Sequence, residues 1–175
     1  LSKLECRNGI GTHSGTLSAS AENIRRGDKS TDGTGAVSML LEHVTSFDLA
    51  RHTMTLEKSR VSVSHEETQV IYARNTSAIQ LRGPGGKWFT DIKSMSLKLD
   101  MSSFPLRLLN VASGSRFEAG KMDADIVFRP VAGKPECRAS ASLKIENMKL
   151  WNMEKTLPAH MNVNGKIETV FQQGG

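Results

Sequence analysis

Apolar and polar residues alternate in short runs along much of this chain. The sequence from Ser94 to Met101 reads S-M-S-L-K-L-D-M, and the sequence from Lys121 to Phe128 reads K-M-D-A-D-I-V-F. A period of two places apolar side chains on one face of a β-strand and polar side chains on the other. The pattern therefore predicts a sheet with one apolar face, and the main question becomes what covers that face.

The alternating runs recur along the chain and are separated by turn residues such as the Gly-rich segment at 83–86. They predict about a dozen short strands and no β-α-β rhythm. One helix is predicted near 103–112, with Ser103 as its N-cap and Pro105 in its first turn. The predicted fold class is all-β: an elongated, twisted antiparallel sheet, curled into an open groove of the taco or jellyroll kind.

The chain of 175 residues is predicted to form a single β domain, residues 1–175. It begins at Leu1 and ends in Gln-Gln-Gly-Gly, so we expect a fragment of a longer protein. Residues 1–45, with a Gly-rich loop at 27–35, match no familiar pattern. Cys6 and Cys137 can form a disulfide or remain separate thiols, and the sequence leaves both possibilities open.

The composition favours a thin, open sheet over a thick core. Apolar residues make up 38% of the chain and aromatic residues 5%, which is a modest supply for a two-layer domain. The formal net charge is +5, from 23 Lys and Arg against 18 Asp and Glu. These basic residues are spread out and do not form the focused positive stripe that nucleic-acid binding requires. We therefore expect no nucleic-acid partner, whereas weak attraction to an anionic membrane surface stays open.

Three motifs that suggest an enzyme lack the rest of a catalytic site. Gly86-Lys87 has neither the spacing nor the following Ser or Thr of a phosphate-binding loop, which favours a hairpin. Asp123 and Asp125 alternate with apolar residues, which indicates a solvated face rather than an acid–base pair. His65-Glu66-Glu67 has no second His at the spacing of a zinc site. We predict no catalytic residue, no metal site and no cofactor, and hence no enzyme.

Two short motifs are typical of secreted proteins. Arg26-Gly27-Asp28 is an integrin-type tripeptide, and matches of three residues are common by chance. Asn75-Thr76-Ser77 is a glycosylation sequon, which has meaning only in a protein secreted by a eukaryote. Neither motif carries the functional prediction.

The apolar faces of the strands remain as the candidate site. They carry small or flexible side chains, and Met, of which the chain has 8, suits adaptable apolar surfaces. The faces can pack on one another as a β-sandwich core, or they can line a groove. The predicted groove residues are Met95, Leu97, Leu99, Met101, Met122, Ile126, Phe128, Leu143, Ile145 and Ile167.

Part of the chain resembles a known family. The segment 104–110 reads F-P-L-R-L-L-N, the segment 120–126 reads G-K-M-D-A-D-I, and Pro130 follows. These segments are similar to the short P-L-x-L-L helix and the G-x-L/M-D-A-D strand of the AsmA/TamB class of bacterial envelope proteins. Residues 47–49 together with residues 54–63 resemble the strand pairs of the same class, and the resemblance extends over residues 45–171.

The resemblance implies a bridge-like lipid-transfer protein with a long, partly open β structure and an apolar groove, the β-taco. Members of the class are anchored in the inner membrane, cross the periplasm, and carry phospholipid between membranes or support outer-membrane assembly. The implied location is the periplasm and cell envelope, with the full-length protein anchored in the inner membrane. The implied partners are lipid acyl chains and an outer-membrane assembly protein.

We therefore predict non-enzymatic binding and transport of phospholipid acyl chains along an apolar β groove, in support of membrane biogenesis. Each CH₂ group shielded from water contributes about 0.8 kcal/mol, so an apolar groove holds a lipid tail without specific contacts. The alternative prediction is a structural or adhesive β-sandwich interaction domain with its function in loops such as 27–36.

Overall fold

The computed structural model describes residues 1–22, 35–82, 89–90, 94–110, 117–150 and 161–172. Eleven β-strands lie in this part of the chain. They are β1 Ser2–Arg7, β2 Ile10–Glu22, β3 Ala36–Asp48, β4 Thr53–His65, β5 Thr68–Asn75, β6 Ile79–Arg82, β7 Phe89–Thr90, β8 Leu97–Pro105, β9 Phe117–Pro130, β10 Glu136–Leu150 and β11 Met161–Gln172.

All of these strands belong to one antiparallel sheet with the order β1-β2-β3-β4-β5-β8-β9-β10-β11. β6 pairs with the first part of β4, where β5 no longer accompanies that strand, and β7 pairs with β6. β1 and β11 form the two ends of this order, so the sheet is open. The prediction of an all-β, open antiparallel sheet is confirmed.

Several strands are longer than the sequence predicted, because polar interruptions are accommodated by β-bulges rather than by turns. The alternation in the sequence predicts separate strands at 53–56 and 60–64, but both are parts of β4, and the register shift against β3 lies between Val44 and Thr45. It likewise predicts separate strands at 139–146 and 148–151, which are parts of β10 up to Leu150, with a shift between Ile145 and Met148. An extra residue restores the alternation without ending the ladder.

Side-chain oxygens accept backbone N–H groups at three of these irregular places. Asn75 Oδ1 accepts from Ser59 at 2.6 Å, and Asp123 Oδ1 accepts from Ser103 at 2.7 Å. The backbone N–H of Asn147 donates to Oδ1 of Asn162 on β11 at 2.9 Å. Each bond gives a backbone donor a side-chain partner close to a register shift.

Asn75, at the end of β5, binds β4 and the segment that follows β5, at the point where β4 changes partner from β5 to β6. Besides accepting from Ser59, its Nδ2 donates to the carbonyl oxygens of Leu56 and Glu57, both at 3.1 Å, and of Ser77 at 2.9 Å. The two hydrogens of the sequon nitrogen are therefore shared among three carbonyl oxygens, two of β4 and one just after β5, an arrangement that a glycan on Nδ2 would disrupt.

The helix predicted near 103–112 is present only as a 3₁₀ turn at Leu106–Leu108 followed by helical backbone at Leu109 and Asn110, and β8 continues through Pro105 before it. Phe104 is paired with Met122 of β9 and is 6% exposed, so tertiary pairing overrides the local helix signal. Ser103 is not an N-cap but has a φ of 49° at the bulge in β8. Residues 111 and 112 lie outside the described residues.

The hairpin of β1 and β2 was not foreseen from the sequence, although its turn carries a strong signal. Arg7 pairs with Ile10, and the two residues between them, Asn8 and Gly9, have φ values of 52° and 76°. Positive φ at both central residues defines a type I′ turn, for which Asn-Gly is the preferred pair. The N-terminal segment is therefore part of the same sheet.

The turn between β4 and β5 has the same two-residue form but an unfavourable sequence. Glu66 and Glu67 have φ values of 50° and 65°, and they link the paired residues His65 and Thr68. Non-glycine residues other than Asn and Asp occupy this left-handed region at a cost of about 1 kcal/mol or more. Two such residues in succession make this turn a place of backbone strain.

We expect Glu67→Gly to raise the free energy of unfolding by about 0.5–1 kcal/mol, because glycine adopts positive φ without a Cβ clash. Urea unfolding followed by circular dichroism measures the change. Gly9→Ala is the matched control, since it places a Cβ at the corresponding position of the other turn and should be destabilising. A destabilised Glu67→Gly variant would contradict the strained turn.

We expect Asn75→Asp to lower the free energy of unfolding by about 2–3 kcal/mol, because a carboxylate keeps the acceptor but sets oxygen against three carbonyl oxygens. Asn164→Asp is the control, as Asn164 lies exposed on β11. Equal effects of the two substitutions in urea unfolding would show that Asn75 does not hold the strand junction.

Candidate functional site

The ladder registers place the apolar side chains on one face of the sheet. Residues directly opposite each other in antiparallel strands share a face. One row of paired residues crosses eight strands and is apolar throughout: Ile167, Ala141, Ile126, Leu99, Ala73, Val61, Leu41 and Leu17. The neighbouring row consists of Gly165, Leu143, Ala124, Met101, Ile71, Val63, Met39 and Ala19.

We call the face that carries these two rows the apolar face. With neighbouring strands about 4.8 Å apart, each row extends over roughly 34 Å. Nine of the ten predicted groove residues lie on the apolar face by register, the exception being Met95. Met95 precedes β8 and lies outside the ladder. The opposite face carries Lys98, Asp123, Asp125 and Lys144.

Side chains of the apolar face are half-buried in the middle of the sheet and exposed towards its two edges. Leu17 is 56% exposed on β2, and Ile167 is 67% exposed on β11. In the described part of the chain, apolar side chains less than a tenth exposed are few: Val70, Ile79, Phe104, Leu106, Cys137 and Ala139. All described strands belong to one sheet, so within these residues no second sheet packs on the apolar face.

One corner of the apolar face is closely packed. The rings of Phe128 and Phe171 lie with their centroids 6.3 Å apart, across β10. Ala139 and Cys137 of β10 are 8% and 0% exposed. The Cys137 thiol donates to the carbonyl oxygen of Met95 at an S···O distance of 3.7 Å, and burial raises the pKa of this thiol. A protonated buried thiol of this kind is a packing group rather than a nucleophile.

The disulfide left open by the sequence does not form in this structure. Cys137 is a free thiol, and so is Cys6 on the edge strand β1. Cys6 is exposed.

A histidine pair was missed from the sequence because its members are thirty residues apart. His43 Nε2 lies 3.0 Å from His13 Nδ1, so one ring donates and the other accepts. The His43 ring lies against Gly15, where an added Cβ would meet Cε1 at 2.7 Å. The register of β2 and β3 brings the rings together on the apolar face. Only knowledge of that register could have revealed the pair.

The charged side chains of the opposite face neutralise one another. Asp100 and Asp125 are directly opposed across β8 and β9, and Lys98 Nζ lies 2.8 Å from the first and 3.2 Å from the second. This hydrogen-bonded ammonium group lowers the pKa of Asp100 below its ordinary value of 3.8. A carboxylate held ionised in this way cannot act as a general acid near neutral pH.

An open depression of about 620 Å³ lies on this charged face over β8 to β11. It forms where short side chains such as Ser142 and Asn164 lie among longer ones such as Lys144 and Lys166. No group of three or more His, Cys, Asp or Glu side chains that could hold a metal ion occurs among the residues that the structure describes. The depression is therefore a charged feature of the surface.

No helix among the described residues is long and apolar enough to span a bilayer. Comparison of the chain with protein-family models, with curated proteins and with solved structures found no match. The resemblance to the AsmA/TamB class, and the location and partners that it implies, therefore stay predictions.

The Lys98–Asp100 contact makes stability depend on pH. Because the pKa of Asp100 is lower in the folded protein, the contact stabilises fully above the ordinary value of 3.8 and is lost as the pH falls through the folded-state value. We expect Lys98→Met to lower the urea midpoint of unfolding at pH 7. The further decrease of this midpoint as the pH is lowered from about 5 to about 2 should be smaller than in the parent protein.

Lys144→Met is the matched control, because Lys144 pairs with a different carboxylate, that of Glu146. Lys144→Met should leave the contribution of Asp100 to the decrease of the urea midpoint at low pH unchanged. An equally steep fall in the Lys98→Met protein and the parent would contradict the assignment to Asp100.

Proposed function

We propose that this chain binds lipid acyl chains along its apolar face and lets them pass along that face without chemical change. The observation that carries the proposal is the pair of apolar rows that cross eight strands without a polar interruption. Large continuous apolar patches on a protein surface commonly mark binding sites. An apolar surface that is continuous over eight strands fits an extended apolar ligand.

The size and flexibility of the face suit acyl chains. Its length of roughly 34 Å is comparable with the hydrocarbon thickness of a bilayer, about 30 Å. Shielding a chain of CH₂ groups contributes about 0.8 kcal/mol per group and requires no specific contact. Met101 lies in the middle of its row and Met39 near the end of the same row, and their flexible thioethers can adapt to ligands of different shape.

The charged face supports the same proposal from the other side of the sheet. Its ion pairs, such as those of Lys98 with Asp100 and Asp125, leave it compatible with water. A sheet with one hydrated face and one apolar face can shield an acyl chain while a polar headgroup stays in solvent at the edge. In the proposed setting, the protein carries phospholipid through the periplasm in support of outer-membrane assembly.

The alternative, a β-sandwich interaction domain, requires a second sheet over the apolar face. All strands in the described part of the chain lie in the same sheet, which favours the lipid-binding proposal. The loop 27–36 that would carry the function of such a domain lies outside the described residues apart from its last two positions.

The proposal predicts different outcomes for arginine on the two faces. Ile126→Arg places a charge in the middle of an apolar row, and in an open face the guanidinium can reach the rim while it blocks the path of an acyl chain. Ser140→Arg, on the charged face and opposite Glu168, is the matched control. A photo-crosslinkable fatty acid reports binding, and thermal unfolding reports stability.

We expect the parent and Ser140→Arg proteins to form the fatty-acid adduct, and a folded Ile126→Arg protein to lose most of it. Unfolding of Ile126→Arg, together with no adduct in the parent, would show a closed core and overturn the proposal, because an unpaired buried charge costs several kcal/mol. A folded Ile126→Arg protein that binds as well as the parent would also overturn it.

A further inference from the structure

The outer edge of β11 has no partner in the part of the chain that the structure describes, since this strand pairs only with β10. Almost the whole strand is exposed, including three large apolar side chains of the apolar face: Val163 at 39%, Ile167 at 67% and Phe171 at 47%. An exposed strand edge of twelve residues is a template for pairing with another strand.

Hydrogen bonds elsewhere in the sheet show which backbone groups face that edge. The N–H of Val131 donates to the carbonyl oxygen of Glu136, so the polar backbone groups of Glu136 point towards β9. Successive residues of a strand point to alternate sides, so Cys137, Ala139 and Ala141 point towards β11. Their partners point back, which leaves free donors and acceptors at the even-numbered positions of β11: Asn162, Asn164, Lys166, Glu168, Val170 and Gln172.

The sequence of β11 is complementary to itself in one antiparallel register. A two-fold axis normal to the sheet at Ile167 places Lys166 of each copy opposite Glu168 of the other, so that two such pairs form. The same register places Val163 opposite Phe171 of the second copy. The even-numbered residues meet as hydrogen-bonded pairs, and each apolar face continues into that of the other copy.

We propose that β11 is the interface of a two-fold symmetric dimer of this chain, formed by antiparallel pairing of its free edge with the same edge of a second copy. Opposite charges fall together in this register because Lys166 and Glu168 flank the axis. Lysine on an edge commonly prevents such pairing, and here the carboxylate of the second copy neutralises it.

The other edge, β1, is a weaker candidate. An antiparallel register of β1 with a second copy would likewise place Lys3 opposite Glu5, but this strand has only six residues. Lys3 and Glu5 already form an ion pair at 2.5 Å within one chain. Pairing through β1 would have to break that contact and would form fewer backbone hydrogen bonds.

Charge exchange tests the proposal, which does not depend on lipid binding. Sedimentation velocity should show a monomer–dimer equilibrium for the parent and a dissociation constant raised roughly tenfold or more for Lys166→Glu, which sets like charges together twice. The double variant Lys166→Glu, Glu168→Lys restores the complementarity and should restore the dimer. Lys3→Glu, on β1, should leave the dimer unchanged.

Amide hydrogen exchange gives a second reading from the parent protein. Amides of Lys166, Glu168 and Val170 should become protected as the concentration rises, whereas those of Ile167 and Thr169 are protected by β10 throughout. A strictly monomeric parent would overturn the proposal. So would dissociation by Lys3→Glu but not by Lys166→Glu, and so would a double variant that stays monomeric while folded.

Discussion

The register between neighbouring strands is the constraint on which the rest of the molecule depends. Side chains in a strand alternate between faces, so a shift of one residue in any ladder would move a whole strand of apolar groups to the charged face. At three of the register shifts a polar side chain binds the backbone and helps to hold the ladders in the register that keeps the two apolar rows continuous. Asn75 does this at the junction of three strands, and Asp123 does it at the bulge in β8. Polar groups thus maintain the geometry of an apolar surface.

The alternation in the sequence was sufficient to predict an open antiparallel sheet and to place nine of the ten predicted groove residues on one face. It was not sufficient for features that depend on a partner strand. The run through Phe104 and Pro105 has the local properties of a helix start, but pairing with β9 keeps it extended. The histidine pair is likewise set by the register of β2 and β3. Only the hairpin at Asn8-Gly9 carried a local signal that the sequence reading passed over.

A single sheet with few buried side chains is a compromise between stability and an accessible surface. Hydrophobic stabilisation grows with the apolar area removed from water, and most residues of the two rows remain only half-buried. An occupant that covers the apolar face would supply the burial that a second layer supplies in a sandwich, and by mass action it would raise the stability of the folded state. Covering the apolar face would then both bind the occupant and stabilise the folded state.

The edge of β11 shows the same principle in the plane of the sheet. Within the described residues, the backbone donors and acceptors at its even-numbered positions have no strand beside them, and the apolar rows have no layer above them. Water can satisfy the backbone groups at little cost, so the edge tolerates exposure better than the face does. The specificity of pairing between two β11 edges would therefore come from charge and register. Its main gain in free energy would come from the contact of Ile167 and its apolar neighbours with the same residues of the second copy. The edge and the face are in this sense one surface, because the strand that ends the sheet also carries Ile167, the most exposed large apolar side chain of the described residues after Leu1.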